Sequence, residues 1–248
     1  MQDRGPAAYL AEFIGTLLLI FFICAAVSLY VVPPSETNPN PFIDFSVIGL
    51  VHVLVLFVLI QTLAVVCGAH FNPAVTAALV TLRQIKPADA GIYVIAQLAG
   101  AVAGALLVKA ILVDEGERAN YGAPAVSDIL SGGTLAGMVV EALGTFFLLW
   151  AIIGVAVNPR ATVEWAALAI GAALGMGVMV FAPLTGAGFN PARSFGPAVW
   201  GKAFDGVDTF LLVYVIGPVA GALLAAVLYF QIFIAPGKKE AGGAEPVG

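Results

Sequence analysis

Asn72-Pro73-Ala74 and Asn190-Pro191-Ala192 each follow a Gly-rich turn and open a short apolar run. The first stretch reads Gly68-Ala69-His70-Phe71-Asn72-Pro73-Ala74-Val75, the second Gly186-Ala187-Gly188-Phe189-Asn190-Pro191-Ala192-Arg193. Asn before Pro is helix-start chemistry: the side chain caps free backbone N–H groups, and proline suits the first helical position. Arg193 stands three residues past Asn190, one helical turn along the same face. A guanidinium in an apolar segment is costly and by default functional, the bland alternative being an interfacial arginine that reaches to headgroups. Glu12 and Glu141 also lie in apolar stretches, where buried carboxylates demand partners. No nucleophile–base pair and no cluster with metal-ligand spacing is visible, so the chain is not read as an enzyme and no metal or cofactor is expected.

The elements that must position these residues are membrane spans. Of 248 residues, 61% are hydrophobic and 10% charged, where a soluble domain carries roughly 25% charged residues. The net charge of −5 comes with no basic cluster, which excludes nucleic acid as a partner. Cys24 and Cys67 sit in apolar surroundings without disulfide or metal spacing and read as packing residues. Six runs are long enough to cross a bilayer, approximately 8–31, 45–67, 91–113, 134–157, 164–182 and 209–234. The apolar pieces 72–82 and 190–200 are half that length, as expected of re-entrant half-helices that line a cavity.

The spans fall into two similar halves. Glu12-Phe13-Ile14-Gly15-Thr16 is echoed by Glu141-Ala142-Leu143-Gly144-Thr145, and Tyr93-Val94-Ile95 by Tyr214-Val215-Ile216, with the Asn-Pro-Ala segments matching in between. Three spans per half put the second half upside down, an inverted repeat whose half-helices enter from opposite faces and meet near the middle. The expected fold is an all-α membrane protein, six transmembrane helices plus two re-entrant half-helices. It forms one channel domain over 1–248, with repeats at approximately 8–113 and 134–234. The tail from Pro236 is Gly-, Lys- and Glu-rich and is expected to be disordered. The first apolar run carries no signal-peptide cleavage pattern. Arg4, Arg83, Lys86, Arg160, Lys238 and Lys239 against Lys109, Arg118 and Lys202 favour both termini in the cytoplasm.

The duplicated Asn-Pro-Ala, the arginine after the second copy and the paired glutamates resemble the aquaporins, the major intrinsic protein family, over residues 8–234. The resemblance implies a pore in each subunit, a homotetramer, and insertion in the plasma or inner membrane. It also implies that Asn72 and Asn190 turn their NH₂ groups into the pore, donating to passing water and interrupting proton hopping. Glu12 and Glu141 would brace the re-entrant loops, with proton relay as the alternative. By family spacing the selectivity constriction is His52, Val178, Ala187 and Arg193, with Gly177 as the fallback for Val178. A buried His52 bonded to a backbone carbonyl is the structural alternative. His70 is placed in a vestibule, either bracing the loop or lining the pore.

That constriction resembles the tonoplast intrinsic proteins of plants. Ser194 and Ala198, where glycerol facilitators typically place Asp and a basic residue, favour the water-channel branch, whereas Tyr214-Val215 is mixed. The expected function is passive passage of water with exclusion of protons and ions, and with passage of ammonia or other small neutral solutes. A glycerol or small-solute facilitator is the alternative. An inverted-repeat secondary transporter is the alternative from another class, and it would need an ionisable coupling group facing its substrate.

Overall fold

The computed structural model describes residues 5–32, 42–131, 133–162, 164–204 and 206–236. Arg4, Lys238, Lys239 and the tail beyond Pro236 lie outside the described residues. Helix α1 (Pro6–Tyr30) has proline in its first turn, as the missing N–H there costs nothing. Helix α2 (Phe45–Cys67) starts at Asp44, whose carboxylate accepts from the N–H groups of Ser46 and Val47. It stops at Gly68, whose φ of +84° glycine adopts without strain. The first half-helix, α3 (Pro73–Thr81), begins at Asn72, and α4 (Pro87–Ile111) completes the first repeat.

The connection to the second repeat holds the short helix α5 (Val113–Arg118) and a 3₁₀ turn, Asn120–Gly122, neither expected from the sequence. Then α6 (Gly133–Ile152) runs on through a π-helical turn, Ile153–Val157. Helix α7 (Ala166–Thr185) ends at left-handed Gly186, and α8 (Pro191–Gly201) is the second half-helix, opening at Asn190. The last span is composite: α9 (Val207–Leu211), a π turn (Leu212–Ile216), α10 (Gly217–Tyr229) and a second π turn (Phe230–Ile234). Six segments among the described residues are long and apolar enough to cross a membrane. An even number of crossings returns residues 5 and 236 to the same face. Strands β1 (Val31–Val32) and β2 (Phe42–Ile43) pair as a short antiparallel ribbon at the opposite face.

Packing repeats the internal symmetry. Helix α1 lies along α4 as α6 lies along α10, and α2 crosses α7 between the halves. Gly100 faces the Phe13 carbonyl and its counterpart Gly221 faces the Ala142 carbonyl, each so closely that a Cβ would collide. Small residues bring helices together where apolar burial gives no drive, because lipid is as apolar as the interior. Gly221→Val is therefore expected to wedge α10 from α6 and destabilise the protein by about 2–3 kcal/mol. A thermal unfolding midpoint in detergent equal to that of the wild type would refute this contact.

Candidate functional site

The site begins with two loops of matched and unusual backbone. Gly68, Ala69 and Phe71 have φ of +84°, +53° and +48°, and Gly186, Ala187 and Phe189 have +75°, +47° and +50°. Left-handed conformations at alanine and phenylalanine are strained and persist only where surroundings over-determine them. Two glutamates do so here. Glu12 accepts from the N–H groups of His70 and Phe71, both at 2.8 Å, and from the Gln97 amide at 2.8 Å. Glu141 accepts from the N–H groups of Gly188 at 2.8 Å and Phe189 at 2.6 Å, and from the Thr185 hydroxyl at 2.6 Å. Both oxygens of each carboxylate are engaged by donors, and each carboxylate binds two consecutive N–H groups of its loop.

Further braces were not anticipated from the sequence. The Tyr93 hydroxyl donates to the Cys67 carbonyl, and the Tyr214 hydroxyl to that of Thr185, fixing the end of the helix that enters each loop. The Thr76 hydroxyl donates to the Asn72 carbonyl and accepts from Gln97 at 3.0 Å. With its one proton spent, it accepts from His70 Nδ1 at 3.1 Å. His70 thus braces its loop and lines a cavity as well. Gln97 could have been noticed as an amide in an apolar span, one helical turn past Tyr93. Thr185 carries no comparable signal, because threonine is common in spans.

Each asparagine caps its half-helix as expected. Asn72 Oδ1 accepts from the Ala74 N–H at 2.8 Å; Asn190 Oδ1 accepts from Ala192 at 3.0 Å and Arg193 at 3.2 Å. The NH₂ groups, expected to point into the pore, each spend one hydrogen on the opposite loop. Asn72 Nδ2 donates to the Phe189 carbonyl at 2.9 Å and Asn190 Nδ2 to the Phe71 carbonyl at 2.8 Å, so each half-helix is tied to the opposite loop. The second hydrogen of each amide has no protein acceptor among the described residues, and both asparagines border the larger cavity. Pro73, Ala74, Pro191 and Ala192 are buried behind them and form the first turns.

Two cavities share a neck. The larger, about 400 Å³, opens toward the face of residues 5 and 236; it has an aliphatic wall that includes Leu19, Leu56, Leu148 and Leu174. Loop residues Gly68–Asn72, with Gly188 and Asn190, form its polar side. The smaller, about 170 Å³, lies toward the opposite face, under the 119–127 segment. His52 and Arg193 are the two residues that border both. Both are buried, at 2% and 3% exposed. His52 Nδ1 lies 2.8 Å from the Ile48 carbonyl. A carbonyl only accepts, so Nδ1 carries a proton, and in the neutral ring Nε2 is then the acceptor. His52 thus bonds a backbone carbonyl and borders both cavities.

Arg193 Nη1 donates to the Gly122 carbonyl at 2.7 Å, while Nε is buried without a partner. No carboxylate pairs with this guanidinium among the described residues. Val178 borders the smaller cavity, whereas Gly177 lies against the Phe189 ring, where an added Cβ would stand 3.0 Å from it. Ala187 is buried and borders neither cavity, held in the strained loop with its N–H 3.3 Å from the Thr185 hydroxyl. Ser194 and Ala198 are buried in α8 and border neither cavity either. In the register that superposes Asn72 on Asn190, His52 corresponds to Ile170 and Arg193 to Val75, both apolar and both on the larger cavity. The duplication thus supplies a scaffold twice and the polar neck once. Opposed acceptor and donors there, with two half-helix N-termini directed at the middle, can hold a small polar molecule and oppose a cation.

A family model described as "Major intrinsic protein" matches residues 5–229. The chain is 38% identical to nodulin-26 of Glycine max over 212 residues, covering 86% of this chain and 74% of that protein. It is 35% identical to the probable aquaporin AqpM of Archaeoglobus fulgidus over 234 residues, 89% of this chain and 94% of the relative. It is 37% identical to the glycerol uptake facilitator protein-like 6 of Lactiplantibacillus plantarum, covering 88% and 94%. The X-ray structure of the aquaglyceroporin from Plasmodium falciparum superposes with a TM-score of 0.76 at 21% identity, over 94% of this chain and 98% of that one.

Glu141→Ala is expected to leave the Gly188 and Phe189 N–H groups unpaired and to cost roughly 2–5 kcal/mol of stability. Gln97→Leu should cost less, because Glu12 keeps both backbone donors. Thermal unfolding in detergent orders the two; equal midpoints would contradict the bracing role.

Proposed function

The chain belongs to the major intrinsic protein family, and we propose that within it this is a water channel that excludes protons and ions and admits ammonia or other small neutral solutes. It is a passive channel rather than an enzyme. The observation that carries the finer reading is the neck itself: His52 and Arg193 border both cavities. A molecule passing there meets one acceptor, His52 Nε2, and the guanidinium donors opposite. Water, able to donate and accept at once, satisfies both.

Deeper in, the remaining hydrogens of Asn72 and Asn190 donate to the same water oxygen. That water then turns its own hydrogens toward its neighbours on both sides, and a one-way chain of donors is interrupted. The unpaired guanidinium and the half-helix dipoles add a barrier to protons and cations. Val178 adds a small aliphatic wall, and no large aromatic stands at His52 or Val178, which favours a neck wider than water alone needs. The secondary-transporter reading finds no support, since Glu12 and Glu141 are occupied by loop donors.

The rival within the family is a glycerol facilitator. It is favoured by the aliphatic wall of the larger cavity, along which a carbon backbone could slide with hydroxyls toward the loop carbonyls. The similarity to a glycerol uptake facilitator-like protein points the same way. Ser194 and Ala198 favour water. The reading also includes a homotetramer, a cell membrane, and both termini in the cytoplasm, the last supported by the charge distribution of the connecting segments.

Reconstituted vesicles given a sudden glycerol shock separate the two. Water selectivity predicts fast shrinkage without prompt re-swelling; prompt re-swelling would make glycerol passage the lead. Arg193→Val is expected to raise glycerol permeability relative to water by about tenfold, the factor that about 1.4 kcal/mol of barrier carries. An unchanged ratio would remove Arg193 from the filter. His52→Phe should narrow the neck and lower ammonia flux relative to water, and an unaltered ratio would leave His52 a packing residue.

A further inference from the structure

We infer that Lys109, held between the rings of Tyr121 and Trp200, is a positioning residue that sets the reach of Arg193 from outside the conduction path. The inference rests on the reading of Arg193 as part of the filter. The acceptor that holds Arg193 is the Gly122 carbonyl, at 2.7 Å from Nη1. That carbonyl hangs from a strained turn: Asn120, Tyr121 and Gly122 have φ of +47°, +52° and +79° in succession. Left-handed residues ordinarily occur singly, and a bulky aromatic among them needs outside constraint.

The constraint comes from three sides. The Tyr121 ring packs over Gly116, where a Cβ would stand 2.6 Å from the ring. The Lys109 ammonium lies 5.3 Å from the centroid of that ring and 5.4 Å from that of Trp200. Trp200 Nε1 in turn donates to the Val102 carbonyl of α4 at 2.9 Å, so the second ring is fixed to the helix that carries Lys109. No carboxylate partners Lys109 among the described residues, and a half-buried ammonium between two π-faces gains by staying there.

Trp200 and Arg193 lie seven residues apart on α8, two turns along one face. A closed circuit results: Arg193 to the Gly122 carbonyl, through Tyr121 to Lys109, then Trp200, and back along α8. One end of the half-helix carries the filter cation; the other carries the clamp that holds the cation's acceptor. Loosening the clamp lets the Gly122 carbonyl drift and the guanidinium swing, which widens the neck without altering any residue in it.

The test is the ratio of glycerol to water permeability of the full chain in vesicles. Lys109→Met is expected to raise the ratio about threefold while water flux per molecule persists, the order of effect of one partly solvated cation–π contact. Lys109→Arg should restore it, since a guanidinium also stacks on aromatic faces. Trp200→Leu removes one ring from the other side and should raise the ratio likewise, giving a second reading should Lys109→Met accumulate poorly. In an Arg193→Val background neither change should add anything, because their effect passes through Arg193. An unchanged ratio for both variants, or an equal rise with and without Arg193, would overturn the inference. An Arg193→Val protein with wild-type selectivity would instead bring down the filter reading on which it rests.

Discussion

A chain that leaves helical structure inside a bilayer must find partners for N–H groups that water cannot reach. Glu12 and Glu141 meet that requirement, and most of the interior is arranged around them. Each carboxylate receives two consecutive loop N–H groups and one side-chain donor, leaving the loop no freedom to relax. The left-handed residues of the loops, the direction of their carbonyls and the placement of the two asparagines all follow. Gly15 and Gly144 extend the same logic to packing. Each sits one helical turn beyond its glutamate, and a Cβ on either would collide with the ring of Phe71 or Phe189.

The two loops also hold each other. Asn72 donates to the Phe189 carbonyl and Asn190 to the Phe71 carbonyl, so neither half-helix tip can withdraw without breaking a bond in the other half. Such reciprocal bonding is what an inverted repeat produces when its halves meet at a point: the same donor faces the same acceptor twice. Half of each amide's donor capacity is used for this, and the other half has no protein acceptor among the described residues, beside the larger cavity. Rigidity at the meeting point and polarity toward the path are thus supplied by one side chain.

Symmetry then gives way at the neck between the two cavities. The braces recur in both halves, as Glu12 with Glu141 and Tyr93 with Tyr214, but His52 and Arg193 have the apolar counterparts Ile170 and Val75. A second polar neck in series would add a second desolvation barrier to every passing molecule. Leaving one side apolar confines the recognition to a single short stretch. The segment joining the halves completes the asymmetry, because its Gly122 carbonyl, which has no counterpart in the other half, orients the guanidinium.

Much of this was legible in the sequence. Apolar run length alone located the six spans to within a few residues, since each crossing must cover a fixed thickness with helix. Asn-Pro marked both half-helix starts because capping and proline placement are local properties. Duplication of Glu12, Gly15 and Tyr93 disclosed the inverted repeat. Gln97, Thr185, the joining segment and the division of the asparagine hydrogens were not legible, since each depends on a partner dozens of residues away. Ala187 shows the same limit from the other side: spacing names the position, but only the folded loop shows it buried with its N–H on the Thr185 hydroxyl. The sequence by itself determined that helices form, where they break and that the halves are inverted, because periodicity, caps and length are properties of the chain. Only the tertiary structure decided which polar atoms face the path, because that depends on which long-range hydrogen bonds consume the others.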